Sequence, residues 1–161
     1  MAITNHERIG KALELLRAGL GPFVEREVKN AFQASASTKM AAYLGDDKMN
    51  AKKGIAAWDV APLLKVMWEA WNEVFGNTLG RAERSLVSEL RDYRNKWAHQ
   101  EAFSSDDADR ALDGALLVLD KHPGEMEAVK LAAQALAADY SRKQLAKLAK
   151  LEAGALRQLF E

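Results

Sequence analysis

The chain has 161 residues, with 23 basic and 23 acidic side chains, a formal net charge of zero and no cysteine. This length suits one domain with a core of its own, and the lack of cysteine excludes disulfides, thiolate zinc sites and a cysteine nucleophile. The neutral balance lacks the basic excess that is usual for duplex-binding proteins, so any RNA contact has to come from a local cluster.

The composition favours helices over strands. The chain has only three prolines and is rich in the helix-forming residues Ala, Leu, Lys and Glu, and no run of Val, Ile and Thr is long enough to predict a sheet. The start "MAITNHERIG" lacks the basic and apolar segments of a signal peptide, and no stretch reaches the length of a membrane span. These features predict a cytoplasmic protein that makes no membrane contact.

The first predicted helix begins near Thr4, which has capping-box spacing to Glu7. Its apolar face contains Ile9, Ala12, Leu13, Leu16 and Leu20. The segment "GLGPF" is expected to end this helix, because Gly19 and Gly21 suit a C-terminal cap and Pro22 suits the start of a new helix. The second predicted helix then extends to "QASAST".

The segment from 35 to 57 is polar and has no clear period, so it is predicted to be a loop with at most one short helix. Loops of this length in a compact domain are often mobile or functional. The next segment, "WDVAPLLKVMWEAWNEVFGN", predicts a strong helix with Asp59 as N-cap and Pro62 in its first turn. Its apolar stripe contains Val60, Leu64, Met67, Trp71 and Phe75, and Trp68 lies beside the stripe.

Two more helices follow before the C-terminal part. One is predicted from 81 to 99, and another is capped by Ser104 and Asp107 and ends at "KHPG". The first buries Leu79, Leu86, Leu90, Tyr93 and Trp97, and the second buries Ala108, Leu112, Ala115, Leu116 and Leu119. The predicted fold is therefore all-α, an up-and-down helical bundle over 1–123. Residues 124–161 are predicted to form a helical extension that packs on the bundle, pairs with another chain or leads into a further domain.

The stretch "RDYRNKWAHQE" combines this buried face with residues that can handle a phosphate: Arg94, Asn95 and His99. Cleavage of RNA by its own 2′-OH needs a base, an acid and donors that stabilise the phosphorane, and it needs no metal. Histidine transfers protons near neutrality, arginine offers a fork of donors, and asparagine can orient either group. On a regular helix Arg94 and His99 point about 140° apart, so a frayed helix end or a second copy of the helix is needed for them to converge.

Each of these residues also has an ordinary structural interpretation. An arginine at the edge of an apolar face often extends its charged end to solvent, and a histidine in the last turn of a helix interacts favourably with the helix dipole. Asn95 on a solvated face needs no explanation. Taken one by one, the three residues are more often structural than catalytic.

The surrounding sequence adds to this motif. "LLKVMWEAWNEVFGNTLGRAERSLVSELRDYRNKWAHQEAFSSDDADRALD" and "TNHERIGKALELLRAGLGPFVEREVK" resemble the HEPN superfamily, over about residues 4 to 120 with a weaker match between 33 and 55. The branch concerned is associated with a nuclear RNA-surveillance endoribonuclease and with bacterial phage-defence proteins. The resemblance implies an all-α homodimer that cleaves RNA without metal or other cofactor in a cleft between two motif helices. His99 would then transfer protons, Arg94 would bind the phosphate and Asn95 would position it.

Two features of the family bear on the choice of function. Some HEPN toxins carry a modified tyrosine two residues after the histidine, where this chain has Glu101, which disfavours a toxin–antitoxin system. Many members of the branch are modules of larger ATPase or helicase-like proteins, and some have no demonstrated activity. Two hypotheses therefore remain: an RNA-cleaving enzyme in stress or phage defence, and a non-catalytic module that binds RNA or assembles a larger complex.

The other candidate residues favour structural interpretations. Tryptophan can stack on bases, but Trp71 and Trp97 are predicted to lie in the core, whereas Trp58 and Trp68 are less clearly assigned. The segment "RKQLAKLAK" (142–150) could touch RNA or a membrane surface, and an ordinary helix that faces a partner explains it better. The pair Asp46 and Asp47 is weak evidence for a metal site. We assign no role to the two remaining histidines, at positions 6 and 122.

Overall fold

The computed structural model describes residues 4–120, and this part of the chain contains helices and no strand. The helices are α1 (Asn5–Phe32), α2 (Ala36–Leu44), α3 (Lys48–Ala51), α4 (Val60–Glu69), α5 (Arg81–Ala98) and α6 (Ser105–Asp120). Short 3-10 turns lie at Gln33–Ser35, Ile55–Ala57 and Phe75–Asn77. The predicted all-α bundle is confirmed. The predicted domain limit at 123, the extension over 124–161 and the "KHPG" stop lie outside the described residues.

Helix α1 is the centre of the bundle, because it contacts α6, α4, α2 and α5. Its inner face is fully buried, and the ring of Phe23 lies 5.8 Å from that of Phe75, centre to centre. The largest fully buried side chains are Phe23, Phe75, Ile9, Leu15, Leu16, Leu20, Leu44, Leu63, Leu64, Met67, Leu90 and Leu119. One continuous core thus holds α5 against α1, α4 and α6.

The predicted break at "GLGPF" is wrong, because α1 continues through Pro22 to Phe32 as one helix. A proline inside a helix removes a hydrogen bond and costs about 3 kcal/mol. The apolar face does not change direction there: Leu20, Phe23 and Val24 are all completely buried. Each large apolar side chain contributes roughly 1.5–3 kcal/mol on burial, so the packing on both sides of Pro22 outweighs the local cost.

Two other segments differ from their predictions. The predicted loop from 35 to 57 contains α2, α3 and a 3-10 turn, which is more helix than expected. The predicted long helix after Asp59 ends at Glu69, and turns follow it up to the 3-10 segment Phe75–Asn77. There the Gly76 N–H donates to the Trp71 carbonyl at 2.7 Å. A Cβ at Gly76 would lie 2.9 Å from that carbonyl oxygen, so only glycine fits this turn.

The predicted cap of α6 is present as a reciprocal pair. The Asp107 N–H donates to the Ser104 Oγ at 3.0 Å, and the Ser104 N–H donates to the Asp107 Oδ2 at 3.0 Å. The bond from the Ser104 backbone, together with the Ser104 side chain, holds the pKa of the Asp107 carboxyl below its usual value. This contribution to stability is therefore complete above about pH 4 and is lost as the pH falls through the lowered pKa of the folded state.

We expect Ser104→Ala to lower the free energy of unfolding by about 1 kcal/mol at neutral pH, because it removes the side-chain half of this cap. Urea unfolding followed by circular dichroism measures the loss. Ser105→Ala is the matched control, since Ser105 is exposed and such substitutions stay within about 0.5 kcal/mol. Equal losses in the two variants would contradict the assignment.

No helix within residues 4–120 is both long enough and apolar enough to cross a bilayer.

Candidate functional site

Helix α5 carries the predicted site residues and has two distinct faces. Leu90 and Tyr93 are buried in the core, whereas Asn95 and His99 are exposed. Arg94 lies at the border between the two faces, with 28% of its side chain exposed. The apolar period of the sequence thus holds the helix in a fixed rotation, which presents the polar residues to solvent.

Asp59 holds the Arg94 side chain across the gap between α4 and α5. The Arg94 Nη2 donates to the Asp59 Oδ2 at 3.0 Å. Asp59 does occupy the predicted N-cap position of α4, but its side chain makes no capping hydrogen bond. The Arg94 Nε–H is buried and has no hydrogen-bond partner among residues 4–120. Asp59 therefore orients the guanidinium without using all its donors.

A cavity of about 340 Å³ lies in front of Arg94. Arg91, Arg94 and Asn95 line it from α5, and Lys65 lines it from α4. Its volume lies within the roughly 300–1,000 Å³ of pockets that take small ligands. The Lys65 Nζ also donates to the Leu44 carbonyl at 2.8 Å. This bond holds the ammonium group of Lys65 at the C-terminal end of α2.

Asp47 and Asn50, from the loop before α3 and from α3 itself, also line this cavity. The Asn50 N–H donates to the Asp47 Oδ1 at 3.1 Å and the Asn50 side chain donates to Oδ2 at 2.6 Å. These bonds, the side-chain bond foremost, lower the pKa of the Asp47 carboxyl. The Trp58 indole N–H donates to the Asn50 carbonyl at 2.9 Å. The loop thus presents a fixed negative group to the cavity, and the charge of Lys65 also lowers the pKa of this carboxyl.

His99 lies apart from the cavity, at the C-terminal end of α5. It is exposed and is not among the residues that line the cavity. Helix α5 stays regular up to Ala98, and Gln100 then takes a left-handed conformation with φ 60°. This ends the helix in a Schellman arrangement, with the Glu101 N–H bonded to the Lys96 carbonyl at 3.0 Å. One chain therefore brings Arg94 and Asn95 together and leaves His99 outside.

The start of α1 is fixed to the end of α5 next to His99. The His6 Nε2 lies 3.1 Å from the Trp97 carbonyl oxygen, and the Trp97 indole N–H donates to the His6 carbonyl at 3.1 Å. Since a carbonyl only accepts, Nε2 carries the proton. The two rings stack at 5.1 Å, and a Cβ at Gly10 would lie 3.0 Å from the indole nitrogen. We call these contacts the His6–Trp97 junction.

The tryptophans have structural positions in the described part. Trp58 and Trp71 are buried in the core, and Trp97 is partly buried against it. Trp68 is also partly buried, and the Arg84 guanidinium lies 4.6 Å from the centre of its ring. The predictions of core positions for Trp71 and Trp97 agree with this placement, and Trp58 and Trp68 pack in the same way.

A family model described as Swt1-like HEPN matches residues 11–121, which is more than half of the chain. The chain belongs to the Swt1-like HEPN family. The resemblance drawn from the sequence is thereby confirmed, and the branch is a nuclease-associated one. The comparison with curated proteins found no match, and neither did the comparison with solved structures.

HEPN domains are nuclease- and RNA-related modules that bind RNA and often dimerise. In this HEPN domain the motif helix is α5.

The sequence does not assign to the site three residues that line the cavity with Arg94: Asp59, Lys65 and Asn50. The only signals were Asp59 at the N-cap position and the acidic pair that includes Asp47. No cluster of three or more His, Asp or Glu residues that could hold a metal ion occurs in residues 4–120.

Proposed function

We propose that this HEPN domain is a metal-independent endoribonuclease whose site forms in a cleft between two copies of the chain. The observation that carries the proposal is the position of Arg94. Its guanidinium is held by Asp59 on one side and borders a cavity that can take a small ligand. Asn95 lines the same cavity and His99 is exposed at the adjacent helix end.

The need for a second copy follows from the regularity of α5. A frayed end would bring His99 towards Arg94, but the helix is regular to Ala98 and stops there. The two side chains point about 140° apart on such a helix. In a two-fold dimer the same surface of both copies meets, so Arg94 of one copy can share a phosphate with His99 of the other.

The chemistry we assign to this cleft is transesterification. His99 takes the proton of the ribose 2′-OH, and the 2′-oxygen attacks the adjacent phosphorus. Arg94 donates hydrogen bonds to the equatorial oxygens of the phosphorane, and Asn95 orients the phosphate. The bond from phosphorus to the 5′-oxygen breaks, and this oxygen takes the proton back from the same His99. The products are a 2′,3′-cyclic phosphate and a 5′-hydroxyl, and the charges and protons balance.

The second candidate is a non-catalytic HEPN module that binds RNA or assembles a larger complex. It is supported by the position of His99 outside the cavity and by the formal net charge of zero. In either case we place the protein in stress or phage defence, with a larger ATPase or helicase-type protein as partner. This setting rests on the resemblance of the sequence to defence proteins.

The test is cleavage of a mixed pool of single-stranded and structured RNA in EDTA. We expect the wild type to cleave, and His99→Ala and Arg94→Ala to have lost this activity while eluting as the same oligomer as the wild type. End analysis should show 2′,3′-cyclic phosphates. If the wild type does not cleave, or if both variants cleave at its rate, the proposal is wrong and the non-catalytic module takes its place.

A further inference from the structure

The cavity beside the motif has more cationic groups than the cleavage chemistry uses. Lys65 and Arg91 line it in addition to Arg94, against the two carboxylates of Asp47 and Asp59. Asp59 already pairs with Arg94. The lining thus has three cations and two carboxylates, and its one excess positive charge rests on Lys65 and Arg91, neither of which is part of the Arg–Asn–His motif.

The donors of Arg91 and Lys65 remain available in this conformation. Within residues 4–120 the Arg91 guanidinium has no hydrogen bond or ion pair. Lys65 uses one of its three N–H groups for the Leu44 carbonyl, so two remain. A partly buried arginine without a partner, beside an ammonium group with free donors, is a suitable environment for an anion such as a phosphate.

The part of the cavity lined by Asp47 and Asn50 suits a base rather than a phosphate. Asp47 accepts two hydrogen bonds from Asn50, and an ionised carboxylate has about four acceptor sites, so it can also accept from an exocyclic amine. The amide of Asn50 is held in place by the same contacts. The Asp47 carboxylate would repel a phosphate, which orients a nucleotide with its base towards Asp47 and its phosphate towards Arg91, with Lys65 within reach of the phosphate.

From these contacts we infer that the cavity is a subsite for a second nucleotide of the RNA strand, whose phosphate is bound by Arg91 and Lys65. The inference deepens the proposed function and rests on it, since it places this nucleotide next to the one that is cleaved. Arg91 and Asn95 are four residues apart on the same side of α5, about 6 Å along the helix axis. This spacing is close to the distance between neighbouring phosphates in an extended strand.

The inference is tested by binding alone, so that it does not depend on cleavage. The probe is a short 2′-O-methyl RNA with a fluorescent label, which has no free 2′-OH and cannot be cut. Its dissociation constant is measured by anisotropy over a range of salt for the wild type, Arg91→Ala and Lys65→Gln. Arg81→Ala is the matched control, because Arg81 is an exposed arginine at the other end of α5 and does not line the cavity.

We expect Arg91→Ala and Lys65→Gln each to weaken binding roughly tenfold and to reduce the slope of log K against log salt by about 0.7, the value for one phosphate contact on a single strand. Arg81→Ala should leave both quantities unchanged. The inference is overturned if the wild type does not bind, if both cavity variants bind like the wild type, or if Arg81→Ala weakens binding equally. Melting curves verify that each variant is folded.

A second titration distinguishes a strand from a free nucleotide. With 5′-AMP as the probe we expect much weaker binding than with the oligonucleotide, because only one phosphate is engaged. Equal or tighter binding of 5′-AMP would overturn the assignment to a strand. If the oligonucleotide binds as expected but RNA is not cleaved, the subsite stands and only the proposed catalysis fails.

Discussion

Mixing the His99→Ala and Arg94→Ala proteins is expected to restore RNA cleavage that neither protein has alone. Removal of the proton-transfer group should lower the rate by roughly 10²–10⁴-fold, and removal of the phosphate donor by roughly 10²–10³-fold. If a site combines Arg94 of one copy with His99 of the other, a mixed dimer has one site with both residues intact. Because one of its two sites is intact, the purified mixed dimer should have roughly half of the wild-type activity.

The experiment needs exchange of subunits, which co-expression of differently tagged chains provides. Initial rates of the purified mixed dimer are measured in EDTA and compared with each parent. The control is a pairing of His99→Ala with the double variant, in which no site has both residues. Activity that stays at the level of the parents would show that Arg94 and His99 act from the same chain, contrary to the two-copy site.

Replacement of Trp97 by alanine is expected to have the largest effect on stability among substitutions near the site. The indole packs over Gly10, stacks on His6 and donates to the His6 carbonyl. Removal of a packed tryptophan side chain costs about 3–5 kcal/mol, and because Trp97 is only partly buried we expect about 3 kcal/mol. Urea unfolding at neutral pH measures the loss.

Trp97→Phe separates the hydrogen bond from the packing. Phenylalanine keeps an aromatic ring against His6 but has no N–H, so we expect a loss of about 1 kcal/mol. A Trp97→Ala protein as stable as the wild type would show that the His6–Trp97 junction contributes nothing to the fold. A phenylalanine variant as unstable as the alanine variant would show that the hydrogen bond, and not the packing, matters.

The fold could be predicted where the local signals agree with the packing. The limits of α5 and the start of α6 agree with their predictions within a residue or two, because the apolar period and the pair Ser104 and Asp107 indicate the same positions. The predicted division of α1 into two helices is wrong because the glycines and Pro22 indicate a break locally. The continuity of the helix depends instead on burial against α4 and α6, which are distant in the sequence. The helix content of the segment from 35 to 57 is higher than predicted for the same reason. Its helices are too short to show a clear apolar period in the sequence.

The site could be predicted only in part, for a related reason. The motif is contiguous, so the spacing of Arg94, Asn95 and His99 can be read from the sequence; their catalytic roles stay a prediction. The side chains around Arg94 come from positions up to 47 residues away along the chain, and a single sequence does not indicate which helices meet. Asp59 illustrates this, since its position predicts a cap and its actual contact is with an arginine on another helix.

The His6–Trp97 junction has a practical consequence for the handling of this protein. The Asn5 side chain donates to the Phe103 carbonyl at 3.1 Å, and His6 bonds to the Trp97 carbonyl. The first turn of α1 is thus hydrogen-bonded to residues before and after His99. A variant that starts after His6, or an affinity tag fused directly before Thr4, would disturb the part of the surface where two chains are proposed to meet. An RNA-cleavage assay on either protein would therefore report on the disturbed junction as much as on the motif.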